Sequence, residues 1–170
     1  MMKYFLILCI SLSYVLTMNS QKEKNKTTTY YLIRHAEKNR TNPSNKDPEL
    51  TEIGLKRAQK WASTFKNIKF DKIYVTNYKR TKQTAQPTAD TNKVSIEIYN
   101  PLNLYSVSFK NSTKGKNVLI VGHSNTTPLF ANKIIGENKY PEIDDSNNSN
   151  LYIVTVSENS KTSVLLKIDL

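Results

Sequence analysis

Short runs of apolar and β-branched residues alternate along this chain with longer stretches in which apolar residues recur about every three to four positions. The short runs predict strands, because β-branched and aromatic residues are enriched in them. The run NVLIV is apolar throughout, which is typical of a strand buried on both faces of a sheet. The predicted strands cover 28–33, 70–76, 94–99, 117–121, 151–156 and 163–168.

Three stretches between these runs have helical periodicity. The first helix is predicted to begin after Thr51, whose hydroxyl can cap it, and to present one apolar face up to Phe65. The second covers about 79–89, with Pro87 disturbing its last turn. The third runs from 125 to about 135 and ends at Gly136.

The order of these elements predicts the fold class. Strands alternate with helices through most of the chain, a pattern that indicates an α/β protein with a mostly parallel sheet. We therefore expect a three-layer sandwich in which helices cover both faces of a central sheet. The segment 38–49 is predicted to be a loop, and 100–116 a loop or a weak helix.

The first twenty residues have the pattern of an export signal. Lys3 precedes a thirteen-residue run, Tyr4–Leu16, that is apolar apart from two serines, whereas spanning a bilayer takes about 20 residues. We predict a signal peptide at 1–20, a flexible leader at 21–27 and one folded domain at 28–170. The expected location is exported, either periplasmic or secreted, with no stable membrane span after signal removal. The alternative is an uncleaved N-terminal membrane anchor.

Composition narrows the possible chemistry and partners. The one cysteine, Cys9, lies in the apolar run, so removal of the signal would leave no thiol or disulfide. Removal of Lys3 lowers the formal charge from +11 to +10, and a field of this sign attracts anions. The lysines are spread along the chain rather than grouped in a basic stripe, so no specific nucleic-acid partner is predicted. A lysine-rich solvated surface is the plainer interpretation of the charge.

Both histidines of the chain follow predicted strands. His35 comes after the first strand, with Arg34 between them. His123 comes after the fourth strand, with Gly122 between them. Arg80 follows the second strand. Because ligands bind beyond the carboxyl ends of parallel strands, we expect these side chains to meet at one edge. Guanidinium forks match phosphate oxygens, and a neutral imidazole can accept a phosphoryl group covalently. Two arginines would supply the positive charge, so no metal or other cofactor is expected.

Three motifs in this order resemble those of the histidine phosphatase (phosphoglycerate mutase-like) superfamily, short branch-1 type. They are LIRHAEK at 32–38, YVTNYKRTKQTA at 74–85 and VGHSN at 121–125, and DPELTEIG at 47–54 resembles the family's loop before its first helix. The resemblance covers about residues 28–156. It implies a phosphatase with His35 as the phospho-accepting nucleophile. Arg34, Arg80 and His123 would then bind the phosphoryl group, and Asn125 would support the pocket or bind phosphate.

The general acid departs from the family pattern. Relatives of this type tend to have an acid where Asn100 stands, so Glu97 and Glu37 are the tentative candidates. Without an acid, alkyl phosphate esters would be poor substrates, whereas phosphoramidates such as phosphohistidine would be affected less. The expected substrate is a phosphorylated small molecule or a phosphoprotein.

Other functions stay open from the sequence. A non-catalytic phosphate-binding protein of the same fold is the first alternative, and a basic polyanion-binding module is the second. A serine hydrolase is disfavoured because Thr126 stands where a nucleophile elbow around Ser124 needs glycine. The histidines lack zinc-ligand spacing. The short segment 100–116 indicates an open pocket, which favours hydrolysis over mutase chemistry. The sequence carries no signal for the oligomeric state.

Overall fold

The computed structural model describes residues 27–170, and the predicted signal peptide and nearly all of the leader lie outside them. A six-stranded sheet forms the centre of this part, with strand order β3-β2-β4-β1-β5-β6. Strands β1 to β4 run parallel to one another, whereas β5 pairs antiparallel with β1 and with β6. The strands are β1 (Thr28–Arg34), β2 (Lys72–Val75), β3 (Ile96–Ile98), β4 (Asn117–Gly122), β5 (Asn150–Val156) and β6 (Lys161–Lys167).

Four helices cover both faces of this sheet in the described residues. They are α1 (Glu52–Thr64), α2 (Lys79–Asn92), α3 (Val107–Thr113) and α4 (Thr126–Ile135). Phe109 and Phe130, from α3 and α4, pack against one face of the sheet, and Trp61 and Ala85, from α1 and α2, against the other. The predicted α/β fold with a mostly parallel central sheet is confirmed. No helix in residues 27–170 is both long and apolar enough to cross a membrane.

Local signals explain where the helices begin and end. The Thr51 hydroxyl accepts a hydrogen bond from the Gly54 amide at 3.1 Å, as the sequence predicted for the start of α1. Helix α2 continues past Pro87 and ends at Lys93, which adopts the left-handed conformation at φ 54°. Helix α3 occupies seven residues of the segment predicted as a loop or weak helix, and Ser106 caps it.

The strand register brings the predicted site residues to one edge of the sheet. Arg34 pairs with Gly122 across β1 and β4, and Val75 of β2 lies beside Val121 of β4. The three strands therefore end at the same level, and the residues that follow them lie side by side. These are His35 after β1, Thr76 after β2 and His123 after β4.

Candidate active site

The ring of His35 is buried and held by its own chain. Only 3% of the residue is exposed. Its Nδ1 lies 2.7 Å from the carbonyl oxygen of Ala36. Because a carbonyl can only accept, Nδ1 carries the hydrogen of the neutral ring, and Nε2 keeps the lone pair. The backbone is fixed as well, since its amide donates to Gly122 and its carbonyl accepts from Asn148 Nδ2 at 2.8 Å.

The surroundings of His35 keep its ring neutral. Burial is the main cause that lowers the pKa of His35 to about 3, with smaller contributions from His123 and from the positive charges of Arg34 and Arg80. The hydrogen bond to the Ala36 carbonyl acts in the opposite direction but is outweighed. At neutral pH the ring is therefore in the form that can attack phosphorus.

The second imidazole stands beside the first. The ring centroids of His35 and His123 are 5.3 Å apart at an interplanar angle of 69°. His123 Nε2 lies 2.8 Å from the Thr76 hydroxyl, and the ring of Tyr78 meets it edge to face at 5.2 Å. Burial, with smaller contributions from the charges of Arg80 and Arg34, lowers the pKa of His123 to about 4. An anion beside these cations would restore a proton to this ring.

Arg34 is a buried cation, with 2% of the residue exposed. Its Nη1 donates to the carbonyl oxygens of Asp144 and Asn147, at 2.9 and 3.1 Å, and its Nη2 to the carboxylate of Asp145. Its Nε is buried without a partner. A guanidinium has five N–H donors, so Nε–H and one hydrogen on Nη2 remain for a ligand.

Arg80 is a second buried cation, with N–H donors available to bind an anion. The residue is 9% exposed, and its Nε and Nη1 are buried without hydrogen-bond partners. The ring of Tyr78 lies 4.2 Å from the guanidinium carbon, and the nearest carboxylate oxygen, of Asp47, is 3.7 Å from Nη1. Buried charged donors cost free energy unless a partner satisfies them. A tetrahedral oxyanion between the two arginines would provide that partner.

The two tentative acids, Glu37 and Glu97, each form an ion pair with a basic residue outside the predicted site. Both carboxylate oxygens of Glu37 accept from Arg57 Nε, at 2.8 and 3.0 Å. The carboxylate of Glu97 accepts from Lys72 Nζ at 2.5 Å, and this residue lies within β3 rather than after its end. In the described part, the carboxylates paired with the site arginines are those of Asp145 and Asp47. The acid role of Glu37 or Glu97 therefore stays a prediction without a supporting contact.

Asn125 lies at the start of α4 and is exposed. Its side-chain oxygen accepts a hydrogen bond from the Thr126 amide at 2.8 Å and caps the helix. The amide NH₂ group remains as the part that could reach a phosphate. Two roles were predicted for Asn125, support of the pocket and phosphate binding. The helix cap is a contact that fits the first of these roles.

Several residues around the site were missed by the sequence analysis. Thr76 and Tyr78 contact His123, Asn148 fixes the backbone of His35, and Asp145 pairs with Arg34. Thr76 lies at the end of a predicted strand, just as the site histidines follow strand ends, and this position could have indicated that it belongs to the site. The segment around Asp145 has no periodicity, so nothing in its pattern indicated where it would fold. Within residues 27–170, no three His, Cys, Asp or Glu side chains are grouped so as to hold a metal ion.

Comparison with known proteins agrees with this geometry. The model of the histidine phosphatase superfamily (branch 1) matches residues 30–103, which include Arg34, His35 and Arg80. A search of curated proteins found no match. The resemblance found in the sequence is confirmed by the family match and by similar solved structures.

Three of these structures illustrate the likeness. The protein histidine phosphatase SixA, complexed with tungstate, superposes with a TM-score of 0.67 at 17% identity, covering 82% of this chain and 96% of its own. SixA from Agrobacterium tumefaciens gives 0.61 at 19% identity, covering 84% and 99%. Phosphoglycerate mutase from Bacillus anthracis gives 0.64 at 15% identity, covering 85% and 95%. At these identities the likeness establishes the fold.

Proposed function

We propose that this chain, which matches branch 1 of the histidine phosphatase superfamily and has its fold, hydrolyses a phosphorylated substrate through a phosphohistidine intermediate on His35. One observation carries the proposal. His35 is a buried, neutral imidazole whose Nδ1 is tied to the Ala36 carbonyl, which leaves Nε2 as the nucleophilic atom. Two arginines with unsatisfied buried donors stand beside it.

The reaction would run in two displacements at phosphorus. First, His35 Nε2 attacks, the bond from phosphorus to the leaving group breaks, and a phosphohistidine forms. Arg34 and Arg80 would neutralise the non-bridging oxygens, and His123 would donate a hydrogen bond to one of them. A water molecule then attacks phosphorus, the N–P bond breaks, orthophosphate leaves, and His35 is regenerated. The arginines supply the charge that a metal would otherwise supply, so we propose metal-independent hydrolysis.

The contacts of Glu37 and Glu97 indicate which leaving groups the proposed reaction favours. Glu37 is bound to Arg57 and Glu97 to Lys72, so neither is supported as a proton donor to a leaving group. Leaving groups that need little protonation from the enzyme are therefore favoured, among them the imidazole of a phosphoramidate such as phosphohistidine. The name of the SixA structure, a protein histidine phosphatase, agrees with this substrate class. The phosphoryl group could be carried by a small molecule or by a protein.

Export of the chain is a second part of the proposal. It rests on the apolar run Tyr4–Leu16 behind Lys3. An exported enzyme would meet phosphorylated substrates outside the cytoplasm. Fractionation of the producing cells, followed by N-terminal sequencing of the protein, would test it. Recovery of full-length protein from the membrane fraction would favour the anchor instead.

The catalytic proposal is tested with p-nitrophenyl phosphate, whose leaving group needs little protonation. We expect turnover that EDTA does not affect and that falls at least about a thousandfold in His35→Ala, since the nucleophile is gone. Rapid quenching of the wild-type reaction in base should trap phosphate on His35, because phosphohistidine is stable in base and labile in acid. Ser124→Ala is the matched control, because it removes the rival nucleophile and should leave turnover unchanged.

The other outcomes identify the alternatives. Turnover that survives in His35→Ala would reject the histidine nucleophile. Orthophosphate binding without turnover would favour the non-catalytic phosphate-binding protein, which the unsatisfied donors of Arg80 also fit. Polyanion binding that weakens steeply with salt and is indifferent to Arg34→Ala and Arg80→Ala would favour the basic module.

A further inference from the structure

The carboxylate of Asp145 bridges two arginines at the candidate site. Its Oδ1 accepts from Arg34 Nη2, and its Oδ2 lies 2.5 Å from Arg40 Nη2. Arg34 is the last residue of β1, Arg40 belongs to the loop at 38–49, and Asp145 belongs to the loop between α4 and β5. This one carboxylate therefore connects two loops across the edge of the sheet where the phosphoryl group would bind.

The loop that carries Asp145 is fixed at several points. The carbonyl oxygens of Asp144 and Asn147 accept from Arg34 Nη1, and Asn148 Nδ2 donates to the His35 carbonyl. The Ile143 amide also donates to the carbonyl of Ser124, at 2.9 Å. The Asp145 side chain is 61% exposed, yet its backbone is anchored on both sides. Its position on Arg34 is thus set by the fold rather than by chance surface contact.

The charge of Asp145 is present at neutral pH. Burial raises its pKa, but hydrogen bonds from Arg40 and Arg34 outweigh this and hold the pKa below its usual range. An ionised carboxylate cannot donate a proton to a leaving group. It is, however, a negative charge bonded to the same guanidinium that has Nε–H and one Nη2 hydrogen left for a phosphoryl oxygen.

We infer that the carboxylate of Asp145 competes with phosphate for Arg34 and so holds down the affinity of the site for the orthophosphate product. This inference rests on the proposed phosphatase reaction. Two negative groups on one guanidinium repel each other, because they lie well within a Debye length of one another. A site built from three converging cationic or imidazole groups would otherwise retain its product, and turnover would slow.

The test compares orthophosphate binding by the full chain and its variants, measured by isothermal titration calorimetry. In Asp145→Asn, which keeps the size and loses the charge, we expect orthophosphate to bind about tenfold more tightly. The KM for p-nitrophenyl phosphate should fall and kcat should not rise. Asp145→Glu keeps the charge and should behave as the wild type. Glu142→Gln is the matched control, because it removes one exposed carboxylate from the same loop.

Unchanged or weaker orthophosphate binding in Asp145→Asn would overturn the inference, because Asp145 would then serve only to orient Arg34. If this variant fails to fold by circular dichroism, Asp145→Ser, which also lacks the charge, provides the same measurement. The same measurements distinguish failure of this inference from failure of the proposed function. Turnover that depends on His35, together with unchanged affinity in Asp145→Asn, rejects the competition and keeps the phosphatase. Tighter binding in a protein without turnover keeps the competition and rejects the phosphatase.

Discussion

At the residue scale, burial and two guanidiniums set the state of the histidines. His35 is almost fully buried, and His123 stands 5.3 Å from it, close to Arg34 and Arg80. An uncharged ring costs little to bury, whereas a protonated ring beside two cations would be expensive. The positive charge of the candidate site therefore lies on the arginines, and the ring of His35 is neutral.

The lowered pKa of His35 gives a prediction for stability. Its folded-state pKa of about 3 lies below its ordinary value of 6.5, so below pH 6.5 the unfolded chain binds more protons than the folded chain. The resulting stabilisation is complete above pH 6.5 and is lost as the pH falls toward 3. Between about pH 7 and pH 5, His35 should contribute a loss of about 2 kcal/mol in the free energy of unfolding. Urea denaturation at both pH values measures it.

The control for this prediction is His35→Asn, which removes the titrating group and keeps a polar side chain. Its free energy of unfolding should depend less steeply on pH over the same interval. An equal slope in the variant and the wild type would show that His35 does not titrate differently on folding.

Which residues meet at the site could be predicted from the sequence, but their ionic partners could not. Arg34 ends β1, and His35, Arg80 and His123 come after strands whose parallel ends lie at one edge of the sheet. The partners of the carboxylates depend on how irregular loops fold. Nothing in the pattern around Glu37 indicated Arg57, which lies twenty residues away on α1. The tentative acids were chosen by nearness in sequence, and these contacts show why that criterion is weak.

At the element scale, the first turn of α1 packs directly onto the segment that follows His35. A Cβ on Gly54 would lie 2.2 Å from the carbonyl oxygen of Glu37, closer than real atoms approach. The Thr51 amide donates to the same carbonyl at 2.8 Å. The absence of a side chain at Gly54 thus lets the helix hold the backbone two residues after His35.

We expect Gly54→Ala to lower the free energy of unfolding by about 3 kcal/mol, since the clash is with backbone that cannot move aside easily. Turnover of p-nitrophenyl phosphate should also fall, because the segment after His35 would shift. Gly136→Ala is the control. Position 136 has space for a Cβ but a φ of +90°. This substitution should therefore lower the free energy of unfolding by only about 1 kcal/mol, because of backbone strain. Chemical denaturation of both variants measures the difference, and equal costs would refute the packing argument.

Long periodic elements could be predicted at this scale, and short ones could not. Helix α1 and strand β4 have patterns that extend over their whole length. Helix α3 is seven residues long and depends on its Ser106 cap and on the packing of Phe109 against the sheet. Such a segment is stabilised by tertiary contacts more than by its own propensity. Strand β3 is likewise shorter than its apolar pattern, with three residues paired to β2.

At the scale of the whole molecule, the excess of basic residues acts on any charged substrate. The formal charge of the chain is +11, and loss of Lys3 would lower it by one. A positive field draws dianionic phosphate esters toward the protein and raises the rate of encounter, and salt screens it. The charge would therefore affect the proposed reaction even though most lysines lie far from His35 along the chain.

We expect kcat/KM for p-nitrophenyl phosphate to fall several-fold as NaCl rises from about 20 to about 300 mM, with a much smaller change in kcat, because screening affects encounter more than chemistry. Steady-state kinetics across this range measures it, with thermal unfolding at each salt concentration as the control for stability. A kcat/KM that does not depend on salt would show that the field plays no part.

The direction of β1 has a practical consequence for handling the protein. This strand enters the sheet at Thr28 and reaches the site edge at Arg34, while β6 runs in the same direction and brings Ile168 to within hydrogen-bond distance of Arg57 and Ser149. A bead or fusion partner joined ahead of Thr28 would hold the protein from the side opposite the candidate site. The same attachment placed after Leu170 would lie on the side of that site.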